Sequence, residues 1–361
     1  MIQYAMNQRL DAIHGQMADH KLAHLLITDP VDVTYISGFE SSNAALLIGK
    51  RSDRIITDFR YTTAVEQFCK KHPEWKHHII SSSMADSITS FLSPQSRVGF
   101  QSNHCTVDEF KKLKKNARTV FFITASKLVD ELLQSKLPHE INAMKRAAAI
   151  GDKALHSLLK DIHSGITERQ CAQKLESYCS IQGSEKPSFD TIVLFGENAA
   201  LPHGHPGDRK LKKGDIILID FGCTVDGFAS DMTRTLFFGK APRQHKKQYA
   251  IVLEAQLNAC KHAKAGMTGK EIDALARSVI EAGGYGDSFG HALGHGVGRR
   301  IHESPRISSH NSRIVHENSV ITIEPGMYIP GSGGIRIEDM GIIRKDGIEI
   351  LTNFTKELIE L

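Results

Sequence analysis

The sequence lacks most of what marks a membrane, secreted or nucleic-acid-binding chain. No apolar run approaches the ~20 residues needed to cross a bilayer. The opening segment Met1 to Leu10 has neither an apolar stretch nor a small-residue cleavage site of the kind that directs secretion. The six cysteines, Cys69, Cys105, Cys171, Cys179, Cys223 and Cys260, are scattered and form no C-x-x-C pair. That excludes a zinc ribbon and a disulfide framework, and it fits free thiols in a reduced, cytoplasmic compartment. The net charge is only +4 over 361 residues, so neither nucleic acid nor an anionic membrane is expected as a partner. Short basic clusters such as Lys111-Lys112-Leu113-Lys114-Lys115 read as solvated helix faces.

What is present suits two globular domains. Apolar residues make up 40% and charged residues 24% of the chain, ordinary values for a folded protein. From residue 1 to 135, short apolar runs (Leu25-Leu26-Ile27, Ala44 to Ile48, Ile55-Ile56, His78-Ile79-Ile80) alternate with helical stretches at Tyr61 to Lys71 and Thr106 to Asn116. This predicts an α/β domain. Pro138 suits the first turn of a helix, and Ile141, Met144, Ala148, Leu155 and Leu158 make one helical stripe after it. A second domain, residues 136–361, therefore starts here.

The second domain carries a hidden repeat. Thr167-Glu168-Arg169-Gln170 and Thr268-Gly269-Lys270-Glu271 are capping boxes that each open a helix, the second stopping at Gly283-Gly284. Each helix leads to a histidine with a proline three residues on, His203…Pro206 and His302…Pro305. Each then leads to a buried-type strand ending in a carboxylate with a glycine two residues later: Ile216 to Asp220 with Gly222, and Val320 to Glu324 with Gly326. Two related halves would bring two carboxylate strands to one cleft. Chance similarity is the alternative on these short matches alone.

The residues in that cleft carry the chemistry. Val225-Asp226-Gly227-Phe228 predicts a two-residue hairpin turn. Counting outward from it, Gly222 lies opposite Asp231, and Asp220 and Asp231 fall on one face as diagonal neighbours. Two carboxylates that close repel unless a cation separates them. Glu324 ends the apolar strand Val320 to Ile323, and Glu338 lies in the strand pattern Gly334 to Glu338 on the face of Arg336. Between the two pairs runs Phe289-Gly290-His291-Ala292-Leu293-Gly294-His295-Gly296-Val297-Gly298. Its glycines permit close backbone approach, but it lacks the lysine and threonine of a P-loop. Four carboxylates and one imidazole, Asp220, Asp231, Glu324, Glu338 and His295, suit two divalent cations of intermediate hardness: manganese first, with cobalt and zinc as alternatives.

At these residues the sequence resembles the pita-bread metallopeptidase family, which includes methionine aminopeptidases, aminopeptidase P and prolidase. The motifs are Leu201-Pro202-His203, Ile219-Asp220-Phe221-Gly222, Ser230 to Thr235, Gly294 to Gly298, Ile301-His302-Glu303, Glu324 to Tyr328 and Arg336 to Asp339. Thr57-Asp58-Phe59-Arg60-Tyr61 places the N-terminal domain with the proline-specific branch. The resemblance implies an α/β N-terminal domain followed by an α+β pita-bread catalytic domain with a pseudo-twofold repeat. It implies that Asp231 and Glu338 bridge two ions, with Asp220 on one and His295 and Glu324 on the other. It casts Glu324 as acceptor of the attacking water's proton, and His203 and His302 as donors to substrate and developing oxyanion. It puts His291 beside the substrate, and has Tyr328 and Arg336 order the ligands.

The implied reaction is hydrolysis of a bond between a first residue and proline, by a homodimer. Arg306, four residues after His302, matches a position where prolidases carry an arginine, and the resemblance implies that it takes the carboxylate of an Xaa-Pro dipeptide. This favours a dipeptidase over an aminopeptidase P acting on longer peptides. A non-catalytic pita-bread binding protein is the alternative of another class. Like a metal-independent amidinohydrolase, it is disfavoured because every ligand position is filled.

Overall fold

A computed structural model describes residues 2–50 and 52–361, and the chain divides into two units, Met1–Leu133 and Gln134–Leu361. In the first unit six strands, β1 (His24–Ile27), β2 (Ala44–Gly49), β3 (Asp53–Thr57), β4 (Trp75–Ile79), β5 (Arg97–Phe100) and β6 (Phe121–Thr124), form one mixed sheet in the order β4-β3-β2-β1-β5-β6. Leu26, Ala45, Leu47, Ile56 and Val98 pack beneath the helices Met84–Thr89 and Val107–Asn116. The helix expected at Tyr61 to Lys71 begins at Thr62, because Phe59–Tyr61 forms a separate 3-10 turn capped by the Asp58 side chain. The capping box at Thr106 and Glu109 opens Val107–Asn116.

The second unit opens on the helix Pro138–Leu158, with proline in its first turn. All five residues of the expected stripe are buried there. The helix Glu168–Ile181 follows its capping box at Thr167 and packs on Pro138–Leu158. Next come β7 (Ile192–Phe195), β8 (Ile216–Phe221), β9 (Thr224–Val225), β10 (Phe228–Ala229) and β11 (Met232–Phe237). The helices Arg243–His262 and Gly269–Ala282 then pair with each other, the latter opened by its own capping box at Thr268. The rest is strand: β12 (Gly294–Gly296), β13 (Glu303–Ile307), β14 (Val320–Ile323), β15 (Gly326–Ile329), β16 (Gly333–Arg336), β17 (Asp339–Arg344) and β18 (Gly347–Ile350).

Two sheets dominate this unit, one in the order β11-β8-β7 and one in the order β13-β12-β14-β17-β18, with β9-β10 and β15-β16 as short hairpins. The pattern of helix pair followed by strands occurs twice, as the repeat predicts. Two apolar clusters fill it. One contains Leu218, Val252, Ile272, Ile321 and Ile323, the other Leu155, Leu175, Ile217 and Ile219. Successive residues of β8 therefore point into different cores, which is why the strand reads as continuously apolar.

Candidate metal centre

The hairpin at Asp226-Gly227 sets the first carboxylate pair. Both residues have positive φ, 51° and 73°, as a tight two-residue turn demands. Val225 pairs with Phe228 and Thr224 with Ala229; farther out Phe221 pairs with Met232 and Asp220 with Thr233, in the same register. Between the two ladders Ser230 N–H donates to Cys223 O at 2.8 Å, and the same register puts Gly222 across from Asp231. A Cβ on Gly222 would drive into the Ser230 carbonyl oxygen, so this approach requires glycine. Asp220 and Asp231 face the same way and are both buried, as the turn predicts.

The second pair arises in the same manner. The strand pattern Gly334 to Glu338 is two strands, because β16 pairs with β15 while β17 pairs with β14. Ile323 lies opposite Asp339 and Gly326 opposite Arg336, so Glu324 and Glu338 face each other where the chain changes sheets. Pro325 has no N–H to give a ladder there. Glu338 is tied instead to the other half of the unit. Its N–H donates to Thr233 O at 3.1 Å, and Thr233 Oγ1 donates to its Oε2 at 2.6 Å.

His295 joins the pairs from β12. Its N–H donates to Thr322 Oγ1 at 3.0 Å, and its Nδ1 lies 3.1 Å from Gly296 O. Nδ1 therefore carries the proton and donates to that carbonyl, which leaves the Nε2 lone pair free. Nε2 stands 3.5 Å from both Asp231 Oδ2 and Glu324 Oε1. One ligand atom each from Asp231, His295 and Glu338 lie within 4.8 Å of one another.

This packing is electrostatically costly. The Asp231 and Glu338 ligand atoms lie within 4.8 Å of one another, so both ionised they would repel by at least roughly 3.5 kcal/mol at an effective dielectric of about 20. Burial, then the charges of Glu338, Asp220 and Glu324, hold Asp231 well above the usual carboxylate range. Burial, then Glu324 and Asp220, do the same to Glu338. Burial pushes Glu324 up to about 8 and His295 down to about 4, the latter helped by His302. Arg336 gives Nη2 to Asp220 Oδ2 at 2.5 Å, while Asp220 Oδ1 is buried without a hydrogen-bond partner. An orphaned acceptor among crowded carboxylates, beside an imidazole with a free lone pair, fits divalent cations.

The other expected site residues divide by what they touch. A cleft of about 670 Å³ is lined by all five ligand candidates and by His203, His291, His302, Arg306 and Arg336. His302 stacks edge-on to His295, ring centroids 4.2 Å apart, and burial, then His203, holds its pKa below the usual histidine value. Tyr328 lies behind this lining. Arg336 Nη1 donates to Tyr328 Oη at 2.7 Å, and Tyr328 Oη is 3.1 Å from His291 Nε2. His291 Nδ1 is 2.7 Å from Ala292 O. Both nitrogens of His291 are thus committed inside the protein, so it offers the cleft a ring edge and no hydrogen bond. Arg306 is exposed on β13.

Thr233 and Thr322 were not singled out from sequence. Thr233 Oγ1 accepts from Arg336 Nε at 2.9 Å while donating to Glu338, and Thr322 Oγ1 donates to Glu324 Oε1 at 3.3 Å. Their signal was available: each lies two residues from a ligand candidate on the same strand face, Asp231 and Glu324 respectively.

Residues 142–345 match the model of metallopeptidase family M24, over half of the chain. The chain belongs to that family. Residues 9–132 match the creatinase/prolidase N-terminal domain. The chain is 37% identical over 358 residues to an Xaa-Pro dipeptidase of Pyrococcus furiosus, covering 98% of this chain and 100% of that one. Among solved structures, an Xaa-Pro dipeptidase from Bacillus anthracis superposes with a TM-score of 0.93 at 35% identity, covering 99% of this chain and 100% of that one. An X-Pro aminopeptidase from Thermotoga maritima superposes with a TM-score of 0.85 at 33% identity, covering 94% and 98%. The protein is thus a metallopeptidase with the two-domain pita-bread architecture that the sequence predicts, and the family uses divalent metal.

Proposed function

We propose that this metallopeptidase hydrolyses the bond preceding proline in Xaa-Pro dipeptides. The observation that carries the reading is His295 Nε2, 3.5 Å from both Asp231 and Glu324, in a cleft that also holds Arg306. Full-length similarity to an Xaa-Pro dipeptidase supports it. Asp220, Asp231, His295, Glu324 and Glu338 would hold two divalent ions, manganese first, with cobalt or zinc able to replace it. Bound there, such ions would offset the carboxylate charge, polarise a carbonyl oxygen and acidify water.

The chain's own groups do the rest. Glu324, whose proton affinity burial raises, accepts the proton of the attacking water. His203 and His302 donate to the substrate and to the oxygen that gains charge. The Arg336–Tyr328–His291 chain fixes the back wall, and Arg336 holds Asp220. Arg306 takes the dipeptide carboxylate, for which a guanidinium fork is suited. The resemblance supports a homodimer, and six free cysteines support a reducing cytoplasmic location.

The test strips the metal, restores manganese, cobalt or zinc singly, and compares Ala-Pro with Ala-Pro-Pro. Hydrolysis of Ala-Pro is expected. Cleavage of the tripeptide alone would assign the aminopeptidase activity of the Thermotoga maritima neighbour, and no cleavage with any metal would leave a binding protein.

A further inference from the structure

A second cavity of about 600 Å³ opens beside the metal cleft and shares His291, Ala292, Ser304 and Arg306 with it. The two differ in charge. The metal cleft is lined by Asp190, Asp220, Asp231, Glu303, Glu324 and Glu338. Among the described residues, no aspartate or glutamate lines the second cavity, which presents Arg277, Arg306, His310 and Arg313.

These cations are not equivalent. Arg277 is neutralised by Asp273 through contacts of 2.6 and 2.9 Å, and it gives two further N–H groups to Phe289 O and His291 O. It builds the wall. Arg306 and Arg313 are exposed, and their side chains make no hydrogen bond or ion pair among the described residues. Their backbones are nonetheless fixed. Asn311 Nδ2 donates to Arg306 O at 2.5 Å, Gly269 N to Arg313 O at 3.1 Å and Lys270 N to Asn311 O at 2.8 Å. The loop is thereby pinned to the N-terminus of the helix Gly269–Ala282, whose own partial positive charge adds to the field. The cavity is a preformed cationic pocket in which, among the described residues, Arg306 and Arg313 have no counter-ion.

Its place gives it a ligand. Rested on the Xaa-Pro reading, a dipeptide ends at Arg306, and each further residue extends a substrate by about 3.5 Å. A third residue then leaves the metal cleft and enters this cavity. We propose that the cavity binds the third residue of a longer substrate and selects an acidic one, so that Xaa-Pro-Glu and Xaa-Pro-Asp are preferred over other tripeptides. Arg306 stays near the backbone after proline, while Arg313 and His310 take the acidic side chain and the terminal carboxylate.

The test measures kcat/KM for Ala-Pro, Ala-Pro-Ala, Ala-Pro-Glu and Ala-Pro-Lys in the metal-loaded enzyme, and separately the calorimetric affinity of the products Pro-Glu and Pro-Ala. Charge-assisted hydrogen bonding predicts that Ala-Pro-Glu exceeds Ala-Pro-Ala by about ten-fold or more and that Ala-Pro-Lys falls below both. The Glu-to-Ala ratio should shrink in Arg313→Ser and at high salt. A ratio near one, or a ratio that survives Arg313→Ser, overturns the proposal even if Ala-Pro is cleaved. Cleavage of Ala-Pro-Glu without Ala-Pro overturns the dipeptidase reading and leaves this one standing. If nothing is cleaved, the binding arm still decides, because equal affinity for Pro-Glu and Pro-Ala overturns the cavity's assignment.

Discussion

Replacing Lys136 with methionine tests how the catalytic unit fixes its histidines. The Lys136 side chain is completely buried and donates to Glu303 Oε1 at 2.6 Å and to Gln134 O at 3.0 Å. Glu303 follows His302 in sequence and pairs across the ladder with Gly296, next to His295. Burial raises the Glu303 pKa, and Lys136 opposes that rise. Lys136→Met removes one member of a buried pair and leaves the other charged, which costs about 3–5 kcal/mol. For a unit of this size that lowers Tm by roughly 6–20 °C. The pH dependence fixes the cause. A carboxyl whose folded pKa is raised contributes stability below its unfolded value near 4.5 and loses it as pH rises through the folded pKa. Without Lys136 that folded pKa rises further, so the variant's deficit should be small at pH 5 and full at pH 8. Thermal melts of both proteins in chelator at the two pH values measure it, and Glu303→Gln added to Lys136→Met should recover most of the loss. An equal deficit at both pH values, or a double variant as unstable as the single one, would refute the ion-pair reasoning.

Two further outcomes are expected. Thr233→Val removes the hydroxyl that Arg336 donates to and Glu338 accepts from; metal affinity measured by competition with a chelator should fall about 10–100-fold. In chelator, the wild-type Tm should fall as pH rises from 5 to 9, because Asp231, Glu324 and Glu338 all have raised folded pKa values and lose their contribution on ionising. Restoring manganese should flatten that slope, and a Tm in chelator that rises over the same range would contradict the carboxylate crowding.

Much of the site was legible because it is governed by period-two arithmetic. The Asp226-Gly227 turn fixes a register, and that register alone puts Asp220 and Asp231 on one face. The same arithmetic fell short at Gly334 to Glu338. The alternation of Arg336 and Glu338 was visible, but the change of sheets at Ile337 was not, since it depends on which partner each half of the segment finds. The opposition of Glu324 and Glu338 stayed hidden with it. The helices of the catalytic unit were legible from capping boxes at Thr167 and Thr268, which are local chemistry. The committed nitrogens of His291 were not, because Tyr328 and Arg336 reach it only through tertiary packing.

The two carboxylate pairs share one construction. In each, a hairpin ladder breaks, continues in the same register beyond the break, and leaves acidic side chains at the gap. One is Gly222 against Asp231, beside Asp220; the other is Glu324-Pro325 against Ile337-Glu338. Like charges opposite one another destabilise a sheet, so neither gap is explained by folding alone. β11 brings the gaps together. It pairs with β8 on one side, and on the other its Thr233 and Thr235 bond the segment Arg336 to Glu338. A one-residue slip at the Asp226-Gly227 turn would send Asp231 and Thr233 to the opposite face together. That would remove a ligand candidate from one pair and the hydroxyl that steadies the other, so the geometry of both pairs hangs on a single two-residue turn.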